Sequence, residues 1–136
     1  MSHRILVVDD NEDVLHITAS FLTAKGYVVD TAVDGQHALA QIAAEPPDCV
    51  LLDIMMPDMS GIEVLNRLKE RPETSSIPVI LVTAKSRDED VLTGYKDGAD
   101  YYITKPFSAQ QLVYGVRLVL GEAPAARAAD SGSSDS

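Results

Sequence analysis

The stretch that decides the fold is "DCVLLDIMMPDMSG", residues 48–61, in which a short apolar run ends on a carboxylate and a turn. The run from Cys49 to Leu52 is continuously apolar, which is typical of a strand covered on both faces. Asp53 follows directly, and an ionised carboxylate is seldom placed at the edge of a core without a partner. The sequence must therefore supply something that pairs with Asp53.

Similar apolar runs recur along the chain and alternate with longer amphipathic segments. The five runs lie at 5–9, 27–33, 48–53, 77–84 and 100–105. Between them apolar residues return at helical spacing, and three of these segments open on a capping-box pattern: Ser60-x-x-Glu63, Ser86-x-x-Glu89 and Ser108-x-x-Gln111. The order predicts five strands alternating with five helices, an α/β domain with one doubly wound parallel sheet.

Composition and length limit the functional classes. A chain of 136 residues fits one domain with a real core, and a net charge of −10 argues against direct nucleic-acid binding. The N-terminus shows no signal peptide, and no apolar run approaches the ~18 residues of a membrane span. The single Cys49 predicts core packing and fits a reducing compartment. We therefore expect a cytoplasmic protein that binds neither nucleic acid nor membrane directly.

The pattern of strands and helices ends near residue 120. Residues 121–136 are rich in Ala, Ser, Gly and Asp and have no hydrophobic face. This composition predicts one domain over 1–120 and a disordered tail over 121–136. The tail is either a native C-terminus or a linker to an output domain, and the sequence leaves both open.

Polar side chains stand at the carboxyl ends of four predicted strands, where parallel α/β sheets bind their ligands. They are Asp9 and Asp10 after the first, Asp53 after the third, Thr83 after the fourth and Lys105 after the fifth. Three neighbouring carboxylates repel each other, and one Lys supplies too little positive charge to compensate. A hard divalent cation such as Mg²⁺ would make up the deficit. The sequence thus predicts a metal site beside a carboxylate that can attack phosphorus.

Each of these residues also has a simpler explanation. Asp9-Asp10-Asn11 could be only a helix N-cap cluster, because acids favour that position. Asp53 could start a capped loop, and Lys105 could be a surface charge. Their shared place at the ends of successive strands favours a common site.

With these residues the chain resembles the receiver domain of bacterial two-component response regulators, over about residues 3–120. The motifs that carry the resemblance are "VVDDNED", "VLLDIMMPDMSG", "PVILVTA" and "GADYYITKPF". The resemblance implies a flavodoxin-like (βα)5 sheet of strand order 2-1-3-4-5. The ends of the first and third strands would then lie side by side.

The resemblance also implies a role for each site residue. Asp53 would accept a phosphoryl group from a histidine kinase or a phosphotransfer protein. Mg²⁺ would be held by Asp10, by Asp9 directly or through water, by Asp53 and by the backbone carbonyl of Met55. The chain would then be a signalling phosphoacceptor, not an enzyme acting on a separate substrate.

A switch is implied as well. Thr83 would hydrogen-bond a phosphoryl oxygen, Lys105 would pair with the phosphate, and Tyr102 would rotate inward as Thr83 moves. The signal would pass to a downstream protein or a second copy of the chain. The surface for it would be the fourth predicted helix, the fifth strand and the fifth helix, roughly residues 86 to 120. Autodephosphorylation would be slow, because Met55 has no polar group to hold an attacking water and Lys85 places another cation near the phosphate.

Two other functional classes compete with this interpretation. A phosphorylation-independent scaffold on the same fold usually lacks an acid, the Thr or the Lys, and all are present here. A haloacid-dehalogenase-type phosphohydrolase needs a second acid two residues after the nucleophile, where this chain has Met55, and a cap domain. Flavin binding is disfavoured because the first strand ends in acids. No GxxxxGK[ST] nucleotide-binding motif is present.

Overall fold

Five parallel strands form one sheet in the computed structural model, which describes residues 3–83 and 98–122. They are β1 (Arg4–Val8), β2 (Val28–Ala32), β3 (Cys49–Asp53), β4 (Val79–Thr83) and β5 (Tyr101–Thr104). Their order in the sheet is β2-β1-β3-β4-β5. The predicted fold class and strand order are therefore confirmed.

Four helices connect or follow the strands in the described residues. They are α1 (Glu12–Ala24), α2 (Gly35–Ala44), α3 (Gly61–Lys69) and α4 (Ala109–Val119). Helix α4 is the fifth helix of the sequence prediction, because the helix predicted to begin at Ser86 lies outside the described residues. Lys85 and residues 123–136 lie outside them too, so their predicted roles stay predictions.

The core has two layers, one on each face of the sheet. Helices α2 and α3 cover one face, and α1 and α4 cover the other. Every residue of β3 and β4 is buried, whereas β2 lies at the edge of the sheet and is mostly exposed. Burial on both faces explains why the central strands are continuously apolar.

Strand register brings the carboxyl ends of β1 and β3 together. Val8 pairs with Leu52, and Asp53 pairs with Val82 of β4 on the other side. The N–H of Ile54 then donates to the carbonyl of Val82 over 3.0 Å, so the ladder extends one residue past Asp53. Asp53 is consequently held by backbone bonds on a rigid strand end.

Within residues 3–83 and 98–122, no helix is long and apolar enough to cross a bilayer.

Candidate functional site

Three carboxylates meet at the carboxyl edge of the sheet. Asp9 follows β1 and is 3% exposed, Asp53 ends β3 and is 4% exposed, and Asp10 is exposed to solvent. One oxygen from each of the three lies within 4.8 Å of the others. The three acids predicted to share a site therefore do so, and Asp10 faces the solvent side of the cluster.

Lys105 follows β5, two strands away from β3 in the sheet, and its side chain reaches back to this cluster. Its Nζ lies 2.7 Å from Oδ2 of Asp9 and 3.6 Å from Oδ1 of Asp53. Its backbone N–H donates to the carbonyl of Thr83 over 2.6 Å, and the bond to Pro106 is cis. The ammonium group thus bridges two buried carboxylates, which excludes the simpler interpretation of Lys105 as a surface charge.

Asn11, next to the cluster, is the N-cap of α1. Its side-chain oxygen accepts from the N–H groups of Asp13 and Val14, over 2.9 and 3.2 Å. Asp9 instead accepts from the N–H of Asn11 over 2.9 Å and pairs with Lys105. Because Asn11 serves as the N-cap of α1, capping does not account for Asp9, and the cluster needs another explanation.

The electrostatics of Asp53 show a shortage of positive charge. Burial, together with the negative charge of Asp9, raises the pKa of Asp53 to about 6, although the Lys105 ammonium opposes the shift. The backbone N–H of Met55 also favours the charged form of the Asp53 carboxylate. A cation among the three carboxylates would remove the remaining repulsion.

The donor set fits a hard divalent cation. Asp9, Asp10 and Asp53 offer carboxylate oxygens at mutual distances that one ion can bridge. Mg²⁺ prefers oxygen ligands, commonly one or two carboxylates completed by water and phosphate oxygens. The exposure of Asp10 leaves the cluster open to solvent on the side where such ligands would enter.

Thr83 and Tyr102 lie on neighbouring strands. Thr83 ends β4, is 3% exposed and pairs in register with Thr104 of β5. Tyr102 lies two residues before Thr104 and so projects to the same face of the sheet as Thr83. Its ring is half-buried against the core layer under α2 and α3. The proximity assumed for the predicted switch pair is thus present, and the switching itself stays a prediction.

The loop between β3 and α3, residues 54–60, follows Asp53 directly and leads into a close contact with the strand end. A Cβ at Gly61 would lie 2.3 Å from the carbonyl oxygen of Asp53, so α3 starts directly against the strand end. Met56 and Met59 pack on the core, and the side chain of Met55 is 60% exposed.

One contact of this loop was not predicted from the sequence. Asp58 accepts hydrogen bonds from the backbone N–H groups of Gly35 and Gln36 at the start of α2. These partners are 23 and 22 residues away in the chain, so no local pattern around Asp58 indicates the contact.

Comparison with known proteins agrees with this geometry. A family profile described as response regulator receiver domain matches residues 5–117. Response regulator PleD of Caulobacter vibrioides is 46% identical over 117 residues, covering 86% of this chain and 26% of that protein. The phosphate regulon transcriptional regulatory protein PhoB of Rhizobium meliloti is 38% identical over 123 residues, covering 90% and 54%. This chain therefore spans about a quarter and about half of the length of these two relatives.

A solved structure is similar as well. The crystal structure of a response regulator receiver domain protein, CheY-like, from Methanospirillum hungatei superposes with a TM-score of 0.84 at 33% identity. The superposition covers 90% of this chain and 96% of that one.

Proposed function

This chain belongs to the response regulator receiver domain family, and we propose that it accepts a phosphoryl group on Asp53 from a histidine kinase or a phosphotransfer protein. The observation that carries this proposal is the buried carboxylate of Asp53 between Asp9 and Lys105, at the end of the central strand. A carboxylate oxygen of Asp53 would bond to phosphorus as the bond from phosphorus to the donor breaks. The negative charge of Asp53 is needed for this attack, and the Lys105 ammonium favours it.

A magnesium ion is part of the proposal. Asp9, Asp10, Asp53 and the backbone carbonyl of Met55 would hold it. Bound there, Mg²⁺ would neutralise negative charge on the transferring phosphoryl group. The neighbouring backbone contributes as well: the Asn11 N–H donates to the Asp9 carboxylate, and the Met55 N–H favours the charged form of Asp53.

Thr83 and Lys105 would then bind the new phosphoryl oxygens. A hydrogen bond to a charged group contributes about 1.5–3 kcal/mol, so two contribute about 3–6 kcal/mol. Moving a two-state equilibrium from 1:99 to 99:1 requires about 5.5 kcal/mol. These contacts would supply much of the energy of a switch in which Thr83 moves inward and Tyr102 follows.

The output of this switch is proposed to be a protein interaction. Tyr102 on β5 lies beside Gln110 and Tyr114 of α4 along a shallow groove of 300 Å³, and Tyr114 is 53% exposed. This groove belongs to the surface predicted over residues 86 to 120. We propose that a downstream protein or a second copy of the chain binds there. A cytoplasmic location is proposed with it, since the free and buried Cys49 fits a reducing compartment.

The proposal is tested by incubating the protein with Mg²⁺ and acetyl phosphate and measuring its intact mass. We expect the wild-type protein to gain one phosphoryl group, and we expect no gain in Asp53→Asn or when EDTA removes the metal. Asp48→Asn is the matched control, because it removes the same charge at the opposite end of β3. A phosphoryl adduct on Asp53→Asn would exclude Asp53 as the acceptor. An unmodified wild-type protein would favour the scaffold alternative.

A further inference from the structure

We propose that Asp58 is a positioning residue for the metal site, which it serves by tying the loop of residues 54–60 to the first turn of α2. The inference rests on the proposed function, because the loop carries the Met55 carbonyl that would hold Mg²⁺. Asp58 itself lies five residues after Asp53 and is exposed to solvent. It would act through the loop backbone, not by binding the metal.

The contact between Asp58 and α2 uses both carboxylate oxygens. Oδ1 accepts from the N–H of Gly35 over 3.1 Å, and Oδ2 accepts from the N–H of Gln36 over 3.0 Å. The partial positive charge of a helix N-terminus strengthens such bonds. A two-point attachment of this kind fixes the orientation of the carboxylate as well as its distance.

In the first turn of α2, the backbone N–H groups without a helical partner donate to two carboxylates, those of Asp34 and Asp58. Among the backbone donors of this turn, Asp34, the local N-cap, accepts the N–H of His37 over 2.8 Å, and the His37 ring Nδ1 lies 2.7 Å from the same oxygen. The first helical bond runs from Ala38 to the carbonyl of Asp34, so the N–H groups of Gly35 and Gln36 have no partner within the helix. Asp58 satisfies both. The loop thus completes the capping of α2.

Packing adds a second connection at the same point. A Cβ at Gly35 would lie 2.4 Å from Cγ of Met59, so the residue after Asp58 packs directly on the backbone of α2. The other end of the loop is closed by the bond from the Gly61 N–H to the carbonyl of Ile54, 2.9 Å long. The loop is thus fixed at its base and at its tip.

Met55 lies between these two attachments. Its side chain is 60% exposed and so contributes little to holding the backbone in place. Its backbone N–H nevertheless favours the charged form of the Asp53 carboxylate, and this effect depends on where the loop places residue 55. Releasing the tip at Asp58 is therefore expected to move the Met55 amide and carbonyl relative to Asp53.

The test compares Asp58→Ala with Asp34→Ala, two variants that each remove one carboxylate from the start of α2. Mg²⁺ affinity is measured by isothermal titration calorimetry on metal-free protein, and the Met55 amide is followed by ¹⁵N NMR. Both variants are expected to melt at lower temperature. Only Asp58→Ala is expected to lose about tenfold in Mg²⁺ affinity, the lower end of the loss typical for residues that orient metal ligands.

A third variant separates positioning from charge. Asp58→Asn loses the same charge as Asp58→Ala but keeps one oxygen that accepts an N–H bond. We expect its Mg²⁺ affinity to lie between those of wild type and Asp58→Ala, and the Met55 amide signal to shift in the same order.

Equal Mg²⁺ affinity in wild type and Asp58→Ala would overturn the inference while leaving the proposed metal site intact. An equal loss in Asp34→Ala and Asp58→Ala would also overturn it, because the effect would then come from the helix or from charge. A wild-type protein that does not bind Mg²⁺ would instead show the proposed metal site to be wrong, and the inference would fall with it.

Discussion

The charge on the Asp53 carboxylate is subject to opposing influences. Burial and Asp9 disfavour its charge, and Lys105 with the Met55 N–H favours it, leaving the pKa at about 6. Since this pKa is raised above that of an unfolded Asp, the folded state favours the protonated form. The stabilising effect of that protonated form is therefore present at low pH and is lost as pH rises through about 6.

We predict that Asp53→Asn is more stable than the wild type at pH 7.5 without Mg²⁺. The shift from 3.8 to about 6 sets an upper limit near 3 kcal/mol, and solvent around Asp10 reduces this to about 1–2 kcal/mol. The difference should shrink towards zero as the pH falls from 7.5 to 4, where Asp53 becomes neutral like Asn. Urea unfolding in EDTA at both pH values measures it.

Asp48→Asn, at the other end of β3, is the control and should show no such gain, because Asp48 accepts from the N–H of Arg4 over 2.7 Å. A stability difference between Asp53→Asn and wild type that does not change with pH would contradict the electrostatic explanation.

Among single residues, the sequence predicted those whose role depends on their place at a strand end. Asp9, Asp53 and Lys105 could be predicted to converge because parallel strands end at one edge. Asp58 could not, since its partners are brought to it only by the packing of α2 against the loop. Thr18, a buried polar residue of α1, was not predicted to face the core either.

The elements themselves were largely predictable, because apolar runs and capping residues are local signals. Ser108 and Gln111 form the predicted capping box at α4, and Ser60 caps α3 as predicted. The buried face of α1 was less clear. Val14, Ile17 and Phe21 recur at helical spacing, but Leu15 and Leu22 are the residues that the sheet buries, and Ile17 is 51% exposed. Two apolar sets on one helix cannot be ranked without the tertiary packing.

The junction between β3 and α3 depends on Gly61. We predict that Gly61→Ala lowers the free energy of unfolding by about 2–3 kcal/mol, because the new Cβ would overlap the Asp53 backbone and force α3 or the strand end to move. Mg²⁺ binding should weaken as well, since the displaced backbone holds the acceptor carboxylate. Urea unfolding and calorimetry measure the two effects.

Gly26→Ala is the matched control for this substitution. Gly26 has a φ of +93°, but no atom lies within 4 Å of the position of its Cβ. Its replacement should cost only the conformational strain of about 1 kcal/mol and leave Mg²⁺ binding unchanged. If the two variants lost equal stability and both bound Mg²⁺ normally, steric overlap at Gly61 would not be the cause.

Side-chain contacts join the two ends of the domain at the amino ends of the strands, opposite the edge that carries the acidic cluster. Tyr27, 9% exposed, donates its hydroxyl proton to Oε1 of Glu122 over 2.7 Å, across 95 residues of chain. The other oxygen of Glu122 lies against the imidazole of His3. Burial and the Glu122 carboxylate raise the pKa of Tyr27 to about 12.

We predict that Tyr27→Phe lowers stability by about 1–2 kcal/mol near neutral pH, the contribution of a hydrogen bond to a charged acceptor. Because the pKa of Tyr27 is raised, this contribution should persist below pH 10 and be lost as pH rises through about 12. A titration of phenolate absorbance should show a tyrosine that ionises near pH 12, and this step should be missing in Tyr27→Phe. An unchanged titration would contradict the assignment.

The parallel sheet could be predicted because alternating strands and helices leave few topologies open, whereas its strand order was implied by the resemblance to receiver domains. The contact of Tyr27 with Glu122 could not, because it joins distant ends through side chains that carry no local pattern. The same applies to the connection between Asp58 and α2.

The most direct test of the proposed phosphoacceptor is to locate the phosphoryl group among the three clustered carboxylates. The protein would be phosphorylated with acetyl phosphate and Mg²⁺ and treated with borohydride, which reduces an aspartyl phosphate to homoserine. Peptide mass spectrometry would then identify the reduced residue. We predict homoserine at position 53 and unmodified Asp9 and Asp10. Homoserine at position 9 or 10, with Asp53 intact, would contradict the assignment of Asp53 as the phosphoacceptor.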